Sequence, residues 1–170
     1  RVPCCVDTRG ADGVPENDSH GQLLFLIAET VRYTGDTGLA GQMWPQVVSA
    51  VSYLDQLRQK RRTAEYESPE KRVFYGLLPE SISHEGYSAK PMHSYWDDFF
   101  GLRGLKDAVF LATFLGKEEE AKAFARIRDE FAADVHASLR LAMERHGIDH
   151  LPGCAELGDF DATSTTAALA

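Results

Sequence analysis

The chain has 170 residues, 44% of them hydrophobic and 26% charged, the composition of a globular domain able to bury a core. Its net charge of -8 excludes a nucleic-acid backbone as the natural partner, because phosphates need a positive surface. No stretch approaches the roughly 18 consecutive apolar residues of a membrane span, so no membrane partner is expected.

The chain opens on Arg1 rather than Met, so the natural N-terminus, and any targeting segment with it, is expected to lie upstream. Cys4, Cys5 and Cys154 form neither a CxxC nor a Cys/His spacing. They read as buried or incidental thiols, with a bridge from the N-terminal pair to Cys154 as the alternative. The compartment stays open.

Residues 1 to 17 are rich in Pro, Gly and Asp and lack a helical period. They read as irregular chain with a short strand at Val2 to Val6. Asp18 and Ser19 supply an N-cap signal. The apolar residues that follow, Leu23 to Ala28 and Val31, suit a helix buried on most sides that stops at Gly35. From Ala40 to Leu57 apolar residues recur every three or four positions, and this predicts a helix with one buried face. Pro45 is expected in its first turn. The run Gln59-Lys60-Arg61-Arg62 reads as the solvated C-terminus of that helix.

Residues 63 to 94 read as a long loop, too apolar at Val73, Phe74, Tyr75, Leu77, Leu78, Ile82 and Tyr87 to be disordered. A third helix then begins within Tyr95-Trp96-Asp97-Asp98. It is apolar on most faces and ends at Gly116. A fourth, one-sided helix runs from about Glu118 to Arg145, with Gly147 as its C-cap. A second polar loop, 147 to 162, leads into the start of a fifth helix at 163 to 170. The expected organisation is one partial domain: hairpin 18–62, loop 63–94, hairpin 95–146, loop 147–162 and the start of a third hairpin.

The helices alternate between buried all round and one-sided. Gly35 and Gly116 are 81 residues apart, and Asp18 and Asp98 are 80 apart. That register predicts an all-α array of repeated helical hairpins. Every long loop then enters a buried helix at its N-terminus, so the loops gather at one end. That end collects Glu16, Asp18, His20, Glu80, His84, Glu85, His93, Trp96, Asp97, Asp98, Glu156, Asp159 and Asp161. Acids and aromatics are therefore concentrated where helix N-termini point. Capping accounts for Asp18, Asp97 and Asp161 taken singly, but it explains neither Trp96 beside Asp97 nor the length of the loops.

Four motifs are family-like: Pro15-Glu16-Asn17-Asp18-Ser19-His20-Gly21-Gln22, Tyr33-Thr34-Gly35-Asp36, His93-Ser94-Tyr95-Trp96-Asp97-Asp98-Phe99 and Asp159-Phe160-Asp161-Ala162-Thr163-Ser164-Thr165. Together they resemble the six-hairpin glycosidases, the (α/α)6 toroids of the glucoamylase, trehalase and processing-glucosidase type. The resemblance covers most of the chain and implies part of such a toroid, with catalysis at the N-terminal ends of the inner helices. It implies hydrolysis of an oligo- or polysaccharide by two carboxylates, one protonating the glycosidic oxygen and the other activating water or attacking the sugar. Glu80 and Glu85 are the candidates for the acid, because they lie in the central loop among apolar residues that would raise a carboxyl pKa. The base is expected nearer the far end of such a domain, so this stretch alone is expected to be inactive.

Trp96 is read as a stacking platform for a sugar ring or, equally, as a core tryptophan locking loop to helix. Asp97, Asp98, Asp18 and Asp161 are candidates to bind sugar hydroxyls, and His93, His20 and Tyr95 to donate hydrogen bonds. No metal or cofactor is implied. Calcium at Asp159 and Asp161 lacks a full ligand set. The expected partners are carbohydrate and either the remaining toroid in a longer chain or a second copy of this one. The alternatives are a non-catalytic carbohydrate-binding or scaffold toroid, and an epimerase or polysaccharide lyase using Tyr95, Tyr87 or His93 as base.

Overall fold

A computed structural model describes the chain apart from residues 1, 4, 15, 83–86, 88 and 170. It is mostly helical. A small antiparallel hairpin, β1 (Val6–Asp7) with β2 (Gly10–Ala11), precedes α1 (Ser19–Thr34) and α2 (Thr37–Gln59). Two short 3-10 turns follow, Ala64–Glu67 and Arg72–Phe74, then α3 (Tyr95–Phe114), α4 (Glu118–His146) and α5 (Ala162–Ala167). The strand expected at Val2 to Val6 instead starts at Val6. Pairing begins only where Gly10, at φ 111°, turns the chain back, and Asp7 holds the turn by accepting the Arg9 N–H at 2.8 Å.

Local chemistry sets the helix ends. The α1 C-cap, Gly35, adopts the left-handed conformation that favours glycine and returns its N–H to the Val31 carbonyl. One residue later, the Asp36 carboxylate accepts the Leu39 N–H at 2.9 Å and opens α2. Because that cap starts the helix at Thr37, Pro45 falls inside α2 rather than in its first turn. Its ring leaves the Gly41 carbonyl without a helical donor, on a face where both residues are exposed.

Within each hairpin the helices are antiparallel. His20, at the start of α1, stacks on Tyr53 late in α2, with ring centroids 4.3 Å apart. The Tyr95 hydroxyl, at the start of α3, is 2.7 Å from Ser138 Oγ late in α4. The two hairpins lie side by side in the same orientation. Gly21 of α1 meets the α3 backbone at Phe100 to Gly104, and one helical stretch further on Arg32 of α1 donates to Asp107 of α3 at 2.5 Å. The indices rise together, so α1 and α3 run parallel. Likewise Trp44 of α2 meets Phe124 of α4, and Arg58 meets Glu130.

One continuous core joins Leu24, Ala28 and Val31 of α1, Val47, Val51 and Leu54 of α2, Leu105, Leu111 and Ala112 of α3 and Phe131 and Val135 of α4. Leu77 and Leu78 reach into it from the loop, so 63–94 is a packed segment with its own turns and an antiparallel bridge between Ser81 and Met92. Two expectations are corrected. First, α1 is not buried all round: Leu26 is 63% and Tyr33 87% exposed, because only α2 and α3 flank it. Second, the basic run is solvated only at Gln59 and Lys60. Arg62 grips Asp134 of α4 at 2.6 Å and Arg61 turns into the loops towards Glu80, while Arg58, just ahead of the run, is buried on Asp55 and Glu130.

Candidate functional site

Both long loops and the N-termini of α1 and α3 gather at one end of the molecule, and the loops are joined there. Backbone bonds run from Tyr95 N–H to Gly153 C=O and from Ala155 N–H to His93 C=O, each near 3 Å. Tyr87 donates its hydroxyl proton to Asp159 at 2.9 Å. Gly153 fits under this contact because a Cβ there would stand 2.3 Å from the Tyr87 hydroxyl oxygen.

The first turn of α3 carries two carboxylates with different surroundings. Asp98 is fully buried. Its Oδ1 accepts the Leu78 N–H at 2.9 Å, while Oδ2 has no hydrogen-bond partner. Burial pushes its pKa well above the ordinary value, and the neighbouring Asp97 charge adds to this. Asp98 fastens loop to helix and is out of reach of a ligand. Asp97 is 2% exposed. It takes the Ser81 hydroxyl at 2.5 Å and the Asn17 backbone N–H. Burial raises its pKa to about 8; the two hydrogen bonds oppose the shift, and Asp18 and Glu16 reinforce it.

Asp18 is not a side-chain cap: its backbone is already helical and its carboxylate makes no cap bond. Instead Oδ2 accepts from Trp96 Nε1 and from Gln22 Nε2, both at 2.7 Å. Trp96 is thereby fixed, edge-on to Phe100. It lines an open groove with Gln22, Phe25, Leu26 and Phe100, across which Val2 and Pro3 pass. His20 is buried, accepts the Val2 N–H at 2.9 Å and lines a neighbouring groove with Tyr53.

Glu80 lies half-exposed in the loop, ion-paired with Arg61. Burial alone would raise its pKa, but its own backbone N–H and Arg61 outweigh that and hold it below the ordinary value. The expected upward shift is therefore reversed, first by the hydrogen bond from its own backbone N–H and then by the guanidinium of Arg61. Arg61 Nε also donates to His93 Nε2 at 3.2 Å, and His93 Nδ1 is 2.7 Å from Glu156 Oε1. Phe74 stacks on the His93 ring. Burial would push Glu156 up, but hydrogen bonds from the His93 ring and backbone hold it below its usual value.

The structure thus brings together Asp18, Trp96 and Asp97 on one side, and Glu80, His93, Arg61 and Glu156 on the other, with Glu80 and Ser81 as the chain link. Four candidates fall elsewhere: Asp98 is buried beneath the loop and His20 lines the neighbouring groove, and Tyr95 and Asp161 serve the packing. Tyr95 is fully buried and bonds Ser138 inside the α3–α4 core, where burial raises its pKa. Asp161 caps α5 through Thr163 N–H and Ser164 Oγ. Glu85 and His84 lie outside the described residues. The second group includes two members given no role by the sequence: Arg61, hidden in a run that looks like a helix end, and Glu156, one acid among many. Nothing in a single sequence marks that these residues meet.

Among the described residues no group of three or more His, Cys, Asp or Glu is placed to hold a metal ion. Cys154 is a buried free thiol, 3.6 Å from Asp159, and so forms no bridge. No helix is long and apolar enough to cross a membrane among the described residues. Comparison with known proteins finds no family model that matches the chain, and no curated protein or solved structure that matches it.

Proposed function

We propose that this chain is a hairpin-repeat portion of an (α/α)6 toroid that hydrolyses an oligo- or polysaccharide at its loop end. The observation that carries the reading is the opposite displacement of two carboxylates one residue removed from direct contact. Glu80 is held below its ordinary pKa by its own backbone N–H and by Arg61, while Asp97, bonded to the adjacent Ser81, is raised to about 8 by burial. Carboxylates tuned in opposite directions at one site are the mark of divided acid and base roles. Glu80 suits the ionised role, as base or nucleophile, rather than the proton donor expected from sequence. Asp97 is then the proton-holding partner of this pair, and Glu85, outside the described residues, keeps the proton-donor role that the resemblance implies. Trp96, fixed by Asp18 on the wall of an open groove, supplies a stacking surface for a sugar ring.

The test is turnover of an oligosaccharide panel by the full natural protein, comparing wild type with Glu80→Gln and Glu85→Gln. Each variant is expected to lose at least about a hundredfold, the lower end for a general acid or base. Full activity in both refutes the assignment. Product analysis separates hydrolysis from lyase chemistry, since a lyase leaves an unsaturated uronic end.

One observation favours a second reading. Glu80 is already engaged by Arg61, and a carboxylate so held also suits a site that only binds sugar. That reading expects calorimetric saccharide binding lost in Trp96→Ala and no turnover by any form. In either case the apolar flank of α1, with Leu26 and Tyr33 outward, is expected to be covered by further toroid or by a second copy. Light scattering on the isolated 170-residue chain is expected to show self-association, and a stable monomer that binds no hydrophobic dye refutes this.

A further inference from the structure

We propose that Glu156 and His93 are positioning residues that act on Glu80 through Arg61, so that the second long loop sets the ionisation of a carboxylate carried by the first. The role given to Glu80 rests on the reading above, but the connection to it rests on geometry alone.

The connection is directional. The Glu156 carboxylate, ionised, can only accept hydrogen bonds. It lies 2.7 Å from His93 Nδ1 and also takes the His93 backbone N–H at 3.1 Å. A proton is therefore held on Nδ1. That leaves Nε2 with its lone pair free, and Arg61 Nε–H points at it from 3.2 Å. Arginine has donors and no acceptor, so this contact exists only while Nε2 is bare. With Nε occupied by His93, the guanidinium turns its Nη2 edge to Glu80. The chain of hydrogen bonds has one consistent order, from Glu80 back through Arg61 and His93 to Glu156.

The surroundings hold the parts in place. Phe74 stacks on the imidazole with ring centroids 4.5 Å apart. Tyr66 lies under the guanidinium, 5.0 Å from its centre. The side chains of His93 and Arg61 are 8% and 13% exposed, against 46% for Glu80. The two middle members are shielded, Glu156 at the far end is 24% exposed, and Glu80 is the most open of the four, the arrangement expected of a carboxylate presented to a ligand by a preorganised support. Glu80 Oε2 also lies 3.4 Å from His93 Nε2. If the proton moved to Nε2, it would face Arg61 Nε–H donor to donor and would turn towards Glu80 instead. Arg61 would then be displaced from the carboxylate whose charge it holds.

The experiment uses the full natural protein with 15N-labelled histidine and 13C-labelled glutamate. Long-range 1H–15N spectra read the His93 tautomer, and carboxyl 13C shifts read the Glu80 titration. Wild type is expected to show the Nδ1–H tautomer. Glu156→Ala is expected to shift His93 towards Nε2–H and to move the Glu80 titration to higher pH, with Glu156→Gln, which keeps an acceptor, lying between them. The acidic limb of kcat/KM is expected to follow the Glu80 titration in the same direction. An unchanged tautomer, or a changed tautomer with the Glu80 titration unmoved, overturns the proposal. Thermal melts of each variant identify unfolding, and Arg61→Lys, which keeps a charge but loses the Nε contact, then replaces an unfolded variant: it is expected to uncouple the tautomer from Glu80. Full activity in Glu80→Gln would sink the catalytic reading alone, because both spectroscopic readouts remain decisive without turnover.

Discussion

Trp96 Nε1 donates to Asp18 Oδ2 at 2.7 Å, joining residues 78 positions apart at the starts of α1 and α3. Both candidate roles of the tryptophan meet in this bond. It locks the start of α1 to the start of α3, and it sets the indole on the wall of the groove. Trp96→Phe keeps the contact with Phe100 but loses the donor, leaving Asp18 with Gln22 and Ser19. The expected cost is about 1.5–3 kcal/mol, the range for a hydrogen bond to a charged group, read as a lower urea midpoint with an unchanged m-value.

Asp97 makes stability depend on pH in a stated direction. Its folded pKa of about 8 stands above the ordinary 3.8. Between those values the folded protein keeps a proton that the unfolded chain has released. Stability is thus fully present below about pH 4 and falls as pH rises towards 8, by up to about 1.4 kcal/mol per pH unit from this group. Asp98, raised for the same reason, adds to the slope. Asp97→Asn is expected to make the slope between pH 5 and 8 shallower by about one proton, while the slope from Asp98 persists. Urea titrations at four pH values check this, and an unchanged slope would mean that Asp97 is ionised in the folded state.

The helical class and the helix C-caps were legible because their signals are local. Gly35 and Gly147 stand where left-handed caps are needed, and hydrophobic period marks the helices between. Pro45 misled because proline is favoured in a first turn, whereas the Asp36 cap had already begun the helix at Thr37, eight residues earlier. Arg61 and Arg62 misled because a basic run at a helix end has a sufficient local explanation. Their partners, Glu80 and Asp134, lie 19 and 72 residues away. The apolar residues near Glu80 in sequence point to a raised pKa, whereas its own backbone N–H and Arg61, just past the end of α2, lower it. Local rules found the elements, and the site failed where its chemistry depends on which elements meet.

The crossing of α1 and α3 is close enough to be tested by a single methyl group. A Cβ on Gly104 would stand 2.6 Å from Gly21 Cα, and one on Gly21 would stand 2.0 Å from the Phe100 carbonyl oxygen. Backbone cannot yield as a flexible side chain does, so Gly104→Ala is expected to destabilise by about 1–3 kcal/mol or more through overpacking. Gly41, within α2, has nothing within 4 Å of the added atom. Gly41→Ala is expected to stabilise by about 0.5–1 kcal/mol through helix propensity. Opposite signs in paired thermal melts confirm that the α1–α3 approach, rather than glycine flexibility in general, fixes residue 104.

Arg58 ties α2 and α4 together from within. Only 2% of its side chain is exposed, and it donates to Asp55 and Glu130, each at 2.8 Å, with Asp134 at 3.7 Å. Burial raises the Asp134 pKa even against the pull of Arg62 and Arg58, so this carboxylate depends on its cations to remain charged. Arg58→Ala removes the cation and the packing of its stem, and it leaves Asp134 with Arg62 alone. The expected loss is about 3 kcal/mol, at the lower end for one partner of a buried pair because Glu130 is half-exposed. Arg58→Met, which refills the space without a charge, is expected to recover part of it. The Arg58→Ala defect is also expected to ease as pH falls, because protonated Asp134 no longer needs a partner. A defect constant from pH 5 to 8 would show that the lost packing, and not the charge, accounts for it.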